Sequence, residues 1–505
     1  MKEINISRLF WPAVVVTLAA KLILSGVIPI TSDEAYFTVW GASPSLGYYD
    51  HPPMVGWLLY LISYIGHSVI LIRLPAVLST TLIAVGVYYL LKPYEENKAA
   101  LASVFLLVSP LNILNVLITT DTPFIFFSFL SVFLLHFALK KQSLPIYAAS
   151  GMALGAAFLS KYFAVFLGIS YLLYFILTPK HKDKTRGFLL LFVSVLPFAA
   201  LNIYWNYSNC WSNIMFNMFN RNKKEAFSFA KILLFVVCQL YLLTPAVVYY
   251  LYKRAYHFSE NYNDLKFALR EKGFILFAFA MLIPIILFGL LSAKKVVGLH
   301  WLLGFYPFMY ILVFFLLTEE ELMKTVKITA VFTIVHLFLI GAVLSVPVQY
   351  FQKNKNYSTI IMGTRPAELN KYLSKYEGGY VLMTPSYADS ALLTWHFRRY
   401  FPVFGGGSHH GRQDDILTDF SEFAGKNILI IRSSEPKVNE YSTFFKKIEI
   451  ERIVAAGAQF YLIAGYDFSF KNYRDVVLRD IKEKYYNIPP WLPTKPGTSI
   501  LKYFS

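Results

Sequence analysis

The chain has 505 residues, 56% of them hydrophobic and only 15% charged, where a soluble domain carries roughly 25% charged residues, so the composition excludes a soluble globular enzyme. The formal net charge of +17 does not point to nucleic acid, because much of the lysine and arginine falls in short loops between apolar runs, where it orients a chain in a membrane. Two cysteines, Cys210 and Cys238, the second within an apolar run, exclude a disulfide framework.

The apolar runs are about 17 to 23 residues long, enough for helices to cross a hydrocarbon layer of roughly 30 Å. Helices are expected because they satisfy their own backbone hydrogen bonds in lipid. The first run, 9–30, follows Lys2 and Arg8 and has no small-residue cleavage pattern, so it reads as an uncleaved anchor. With the N-terminus inside, this helix delivers residues 31–57 to the outer face. The stretch 53–68 is apolar but interrupted by glycine and flanked by His51 and His67, and is expected to lie at the interface or re-enter. Full spans follow at 71–91, 99–118, 123–139, 144–159, 162–177, 187–205, 229–251, 273–291, 301–317 and 328–346, which makes eleven crossings with the first.

In this order Lys140-Lys141, the cluster Lys180, Lys182, Lys184 and Arg186, then Lys253-Arg254 with Arg270 and Lys272, and finally Lys324 and Lys327 fall inside, as the positive-inside rule requires. Asp33, Asp121, Lys161, Arg221, Lys294, Lys295 and His300 fall outside. After residue 346 short apolar strands at 380–383, 427–431 and 460–463 alternate with helix-compatible stretches and turns such as Gly405-Gly406-Gly407. The expected fold is therefore a polytopic α-helical membrane domain, 1–346, followed by a small soluble α/β domain, 347–505, on the outer side.

The polar stretch 31–57 carries the candidate chemistry. An ionised carboxylate at Asp33 or Glu34 can take a proton from an acceptor hydroxyl, although Ser32 and Asp33 equally suit the N-cap of a helix starting near Ala35. Asp121, in Thr119-Thr120-Asp121-Thr122-Pro123, is a second outer acid with the same two readings. Asp50-His51-Pro52-Pro53 sets a carboxylate beside an imidazole before a rigid turn, which suits a phosphate or a metal as well as an ordinary polar turn. Lys161, Arg221, Lys294 and Lys295 supply positive charge for a leaving phosphate, or attract lipid headgroups. His300-Trp301 suits a sugar, a phosphate or the membrane interface. His409-His410 with Asp414-Asp415 resembles a metal site only loosely. No phosphate loop, dinucleotide fingerprint, HExxH, GxSxG or Asp-x-Asp motif occurs, which disfavours an ATP-driven pump.

Asp33-Glu34-Ala35-Tyr36 and the tract from Leu46-Gly47-Tyr48-Tyr49 through Asp50-His51-Pro52-Pro53 to Gly56-Trp57 resemble the first outer loop of bacterial GT-C glycosyltransferases. The group is that of families 39 and 83, which holds the lipid A aminoarabinose transferase and the dolichyl-phosphate-mannose-protein mannosyltransferase-like proteins. Thr120-Asp121-Thr122-Pro123, Leu159-Ser160-Lys161-Tyr162, Lys294-Lys295 leading to His300-Trp301 and, in the tail, Tyr387-Ala388-Asp389 extend the resemblance. It implies a GT-C type bundle with interfacial helices in the first outer loop, set in the inner membrane of a bacterium. The implied activity takes one sugar from a polyprenyl-phosphate carrier at the periplasmic face and passes it, with inversion, to lipid A or another lipid or glycan. Asp33 matches the family's catalytic acid and Asp121 a second site acid. Lys161, Arg221 and Lys294 or Lys295 would hold the carrier phosphate, with Glu34, Tyr49, Asp50, His51 and His300 as further substrate contacts. His51 stands where the aminoarabinose enzymes have lysine, which argues against that donor. No cofactor is assigned, and a divalent metal, with Asp50 and His51 as its candidates, stays open. Protein O-mannosylation is the rival activity. A polyprenyl-sugar flippase needs charges along a path through the bundle, whereas these cluster at one face.

Overall fold

The computed structural model describes residues 6–179, 182–219, 226–256, 274–437, 439–495 and 497–504. Every one of the eleven expected spans contains helix. Six helices, Ile6–Val27, Val69–Leu91, Asp121–Lys141, Asp183–Ser208, Ile275–Ser292 and Glu319–Ser345, are long and apolar enough to cross a membrane. A seventh span arises if Phe229–Leu243 and Pro245–Lys253, bent by 97°, are counted as one. Their break falls at Thr244, which takes a positive φ of 68° in front of a proline that cannot supply the next helical N–H.

Among the described residues, length and composition alone thus pick out six or seven crossings, where eleven were expected. The expected span 99–118 divides into Glu96–Val108 and Pro110–Ile113, with the Ser109 hydroxyl accepting from the Asn112 amide at the restart. The expected span 301–317 shortens to Pro307–Leu316, preceded by a 3-10 turn, Leu299–Leu302. Leu144–Phe158, Ala164–Leu177 and Met54–Ser63 are shorter apolar helices of the same kind.

The chain divides into two compact units, each discontinuous in sequence. The first comprises Met1–Val27, Gly66–Ala200 and Lys224–Ala342. Within it, helices Asp121–Lys141 and Leu144–Phe158 meet through small residues, the Ser131 hydroxyl donating to Ser150 O at 2.9 Å and the Ser150 hydroxyl to Ser131 O at 2.8 Å. Such close approach with interhelical hydrogen bonds is how helices associate where lipid removes the hydrophobic incentive. Lys21 is fully buried. Its ammonium donates to Val77 O (2.8 Å), Thr80 Oγ1 (2.5 Å) and Asn112 Oδ1 (3.1 Å). All three donors of the charged group are thus matched by neutral acceptors, and helix Phe10–Val27 is tied to two later segments.

The second unit comprises Ile28–Ile65, Leu201–Lys223 and Val343–Ser505, so the polar stretch 31–57 belongs with the tail. Its sheet runs in the order β1-β2-β4-β3. β1 (Val381–Met383) is parallel to β2 (Ile428–Arg432), and β4 (Ala458–Phe468) is antiparallel both to β2 and to β3 (Phe445–Ala455). β3 and β4 are joined by a two-residue turn at Ala456 and Gly457, both at positive φ, the geometry that matches strand twist in a tight hairpin. Ile428, Ile430, Ile463, Phe445 and Phe468 pack with Phe404, Phe420 and Tyr473 in the core of this unit.

In the loop, helices Ser32–Ala42 and Met54–Ser63 pack together. Trp40 stacks on Tyr48 with centroids 4.5 Å apart and planes 6° from parallel, and the Tyr48 hydroxyl donates to Trp40 O at 2.9 Å. Gly56 is required by this arrangement, since a Cβ there would lie 2.3 Å from the Tyr48 hydroxyl oxygen. Residues 201–219 hold the loop from another side: Trp205 Nε1 donates to Ser45 Oγ (2.9 Å), Asn213 Nδ2 to Tyr48 O (2.7 Å) and Asn217 Nδ2 to Asp50 O (3.0 Å).

Replacing Lys21 by alanine removes the three-way tie and leaves buried acceptors without a donor. Lys21→Ala is expected to destabilise the first unit by about 2–4 kcal/mol, read as a lower unfolding temperature of the detergent-solubilised protein; an unchanged temperature would show that the tie contributes nothing.

Candidate active site

Helix Ser32–Ala42 begins with a reciprocal cap. The Thr31 hydroxyl accepts from the Glu34 amide (3.2 Å), and the Glu34 carboxylate accepts from the Thr31 amide and hydroxyl (both 3.1 Å). This is a capping box. The N-cap is therefore Thr31, not Ser32 or Asp33, and Glu34 is buried in a structural role. Asp33, one position earlier in the first turn, is exposed. Protein packed around its inner side raises its carboxyl above the ordinary aspartate value; the Tyr387 hydroxyl, 3.5 Å from Oδ1, opposes that rise, and the charge of Glu34 adds to it.

Asp50 is buried and has the opposite surroundings. The Tyr36 hydroxyl donates to its Oδ2 at 2.8 Å and the Gly411 amide to its Oδ1 at 3.2 Å. Burial pushes its carboxyl up to about 7, against the pull of those two donors, with the charge of Asp33 adding to the rise. The Tyr36 oxygen also accepts from the Gln413 amide (3.2 Å), and Gln413 Oε1 accepts from the Tyr49 amide (2.8 Å). Tyr49 is buried there, while His51 is half-buried with its ring 6.2 Å from Trp40.

The segment that reaches Asp50 is itself locked. Arg412 makes a two-pronged pair with Asp415 (2.8 Å for both bonds) and donates to Gly406 O (2.7 Å) and Ser408 O (3.0 Å), and the Tyr486 hydroxyl donates to Asp415 at 2.8 Å. Asp414 accepts from the Tyr400 and Thr418 hydroxyls and the Val403 amide, and burial raises its carboxyl to about 6. Gly411 sits at φ +68°, and a Cβ on it would fall 2.1 Å from the Tyr387 ring, so only glycine fits.

The residues of the metal readings have these partners. Both oxygens of Asp50 accept hydrogen bonds, Asp414 and Asp415 are bound within the protein, and His409 and His410, 4.1 Å apart, lie against Phe216. Among the described residues no three His, Cys, Asp or Glu side chains are gathered to hold a metal ion.

The remaining candidates lie in the first unit. Asp121 opens helix Asp121–Lys141, but its N-cap, Thr120, makes no side-chain cap. The Asp121 carboxylate instead accepts from Lys161 Nζ at 2.6 Å, both groups being buried. Lys161 also stands over the Phe163 ring (5.1 Å), Phe163 packs on Trp301 (5.0 Å), Lys295 stands over Trp301 (5.8 Å), and the exposed His300 adjoins the same indole (6.5 Å). Lys294 is exposed, and its carbonyl accepts from Lys231 Nζ. Arg221 lies outside the described residues. The candidates thus form two groups: Asp33, Glu34, Tyr49, Asp50 and His51 in one unit, and Asp121, Lys161, Lys294, Lys295 and His300 in the other.

Gln413, Gly411 and Arg412 were not among the expected site residues; the visible signal was the run Gly411-Arg412-Gln413-Asp414-Asp415, which is unusually polar for a tail of strands. Tyr36 and Tyr387 were noticed only as parts of longer stretches.

A family model described as dolichyl-phosphate-mannose-protein mannosyltransferase matches residues 50–205, a range holding Asp50, His51, Asp121 and Lys161. The structure of ArnT from Cupriavidus metallidurans bound to undecaprenyl phosphate superposes with a TM-score of 0.60 over 90% of this chain and 97% of that one, at 13% identity. The apo form of ArnT gives 0.61 over the same shares at 14% identity. The chain shares the fold of ArnT and is similar, over residues 50–205, to the mannosyltransferase family. A lipid A galacturonosyltransferase, RgtD, of Rhizobium johnstonii is 25% identical over 179 residues, which is 34% of this chain. The match spans 38% of the length of that relative.

Asp50 (about 7), Asp389 (about 6) and Asp414 (about 6) all hold their protons more tightly than an unfolded aspartate at 3.8, chiefly through burial. Where the native state binds the extra proton, stability falls as pH rises, so the second unit should be firmest below about 4 on account of these groups, with the contribution declining above that and gone once pH has risen through 6 to 7. The unfolding temperature is expected to drop between pH 5 and pH 8, and Asp50→Asn to flatten that slope; a slope identical to wild type would contradict the assignment. In the first unit, Lys161→Met leaves a buried carboxylate and is expected to cost about 3–5 kcal/mol, while Lys161→Met with Asp121→Asn should recover most of that loss, as measured by a double-mutant cycle of thermal stability.

Proposed function

We propose that this chain is a GT-C glycosyltransferase that moves a single sugar, with inversion, from a polyprenyl-phosphate carrier to a lipid A-type acceptor at the periplasmic face of a bacterial inner membrane. The observation that carries the reading is the division among the acids of the first outer loop: Glu34 caps a helix and Asp50 is buried under two donors, while Asp33 is exposed. A general base must be within reach of the proton it takes, and among these three Asp33 meets that condition. In the reaction an acceptor hydroxyl oxygen attacks the anomeric carbon, its proton passes to Asp33, and the carbon–oxygen bond to the carrier phosphate breaks with both electrons leaving on the phosphate. Stabilising that charge requires fixed cations, a role we assign to Lys294 and Lys295, with His300 beside them. Lys161 is held by Asp121 and serves the same end through exchange of partners.

The donor and acceptor rest on similarity: a relative modifies lipid A, and the solved structure of the same fold holds undecaprenyl phosphate. The family description favours a second reading, transfer of mannose to secreted proteins. Mass spectrometry of lipid A from cells with the gene, without it, and with Asp33→Asn at equal expression separates them. Deletion is expected to remove one sugar-sized mass, and Asp33→Asn to leave it missing, the rate having fallen by about 10² to 10⁴-fold. Lipid A identical in all three strains would sink the lipid acceptor and move the search to secreted glycoproteins.

A further inference from the structure

Asp33 has one polar neighbour contributed by the distant tail. The Tyr387 hydroxyl comes within 3.5 Å of Asp33 Oδ1 across 354 residues of sequence. We propose that Tyr387 is a positioning residue for Asp33, donating to Oδ1 so that Oδ2 is turned to the acceptor hydroxyl. The inference rests on the transferase reading above.

The argument lies in how the tyrosine is held. Its ring meets Tyr36 edge-on, with centroids 5.2 Å apart and planes at 63°. On another side it meets the bare backbone of Gly411, where a Cβ would intrude to 2.1 Å. Both supports end on the same group, because the Tyr36 hydroxyl donates to Asp50 Oδ2 and the Gly411 amide to Asp50 Oδ1. Tyr36 is braced again by the Gln413 amide. Asp50 therefore fixes the two walls between which the Tyr387 ring stands, and the ring fixes where its hydroxyl meets Asp33.

The contact has an electrostatic consequence. The groups that act on Asp33 are Glu34 in the same turn and Tyr387 from the tail, with Asp50 near enough for the charges of the two aspartates to interact. Tyr36 faces Asp50, and behind Gly411 Arg412 is neutralised by Asp415 while Asp414 is enclosed by hydroxyls. Burial and the acids push the Asp33 carboxyl up, and the Tyr387 hydroxyl opposes them. Removing the hydroxyl should leave Asp33 harder to ionise and less fixed in orientation.

Tyr387→Phe keeps the ring against Tyr36 and Gly411, so the fold is retained, and an unchanged unfolding temperature verifies this. The test labels full-length protein in membranes with a water-soluble carbodiimide and glycine ethyl ester, which modify protonated carboxyls, and follows the Asp33 peptide by mass spectrometry from pH 4 to pH 8. The half-labelling pH is expected to move up in Tyr387→Phe, and the sugar-modified lipid A in cells to fall about tenfold, as for loss of a hydrogen bond to a charged group. An unmoved midpoint overturns the inference while leaving the transferase reading intact if Asp33→Asn still abolishes the product. A raised midpoint with undiminished product also overturns it, since the contact would then be without effect on transfer. Full product from Asp33→Asn defeats the parent reading and this inference together.

Discussion

The second unit depends on one buried carboxyl. Asp50 receives a hydroxyl from its own loop, Tyr36, and a backbone amide from the tail, Gly411, and no other residue joins those two segments through both oxygens of a single side chain among the described contacts. A buried acid is tolerable when donors satisfy it or when it keeps its proton. Asp50 does some of each, with its carboxyl at about 7 and two donors in place. Around it the Arg412–Asp415 pair and the hydroxyls on Asp414 stiffen the tail, so that the first outer loop rests on a rigid surface.

Three acids within eighteen residues thus acquire three different roles from their surroundings alone. Glu34 completes a helix cap, Asp50 braces, and Asp33 stays exposed. The same logic applies in the first unit, where Asp121 neutralises Lys161 in a buried pair while Lys294 stays exposed. Residue type specified what each group was able to do; the partners it met decided what it does.

The sequence was informative where a single segment carried its own signal. The apolar runs predicted helix at every span, and β1, β2 and the middle of β4 were read from short apolar stretches. β3 escaped because Phe445–Ala455 alternates charged with apolar residues, a pattern of a half-exposed edge strand that looks polar as a whole and keeps the sheet edge from pairing with other chains. The breaks at Ser109 and Thr244 were visible as prolines at 110 and 245, and they convert runs that look long enough to cross into shorter or bent helices. The loop acids and the cations near Trp301 were found as site candidates from the sequence, while the tail's contribution was not. Tyr387, Gly411 and Gln413 matter through contacts spanning about 350 residues, and periodicity or local spacing holds no record of which distant segment a loop will meet.

The separation of Asp50 from Gly411 by 361 positions also has a meaning in time. A ribosome adding about 5–20 residues per second makes the first outer loop roughly 20–70 s before the segment that braces it. During that interval Asp50 lacks its second donor, the Gly411 amide. A nascent chain, or one cut short before residue 411, therefore carries Asp33 without the frame that Asp50 and Gly411 build behind it.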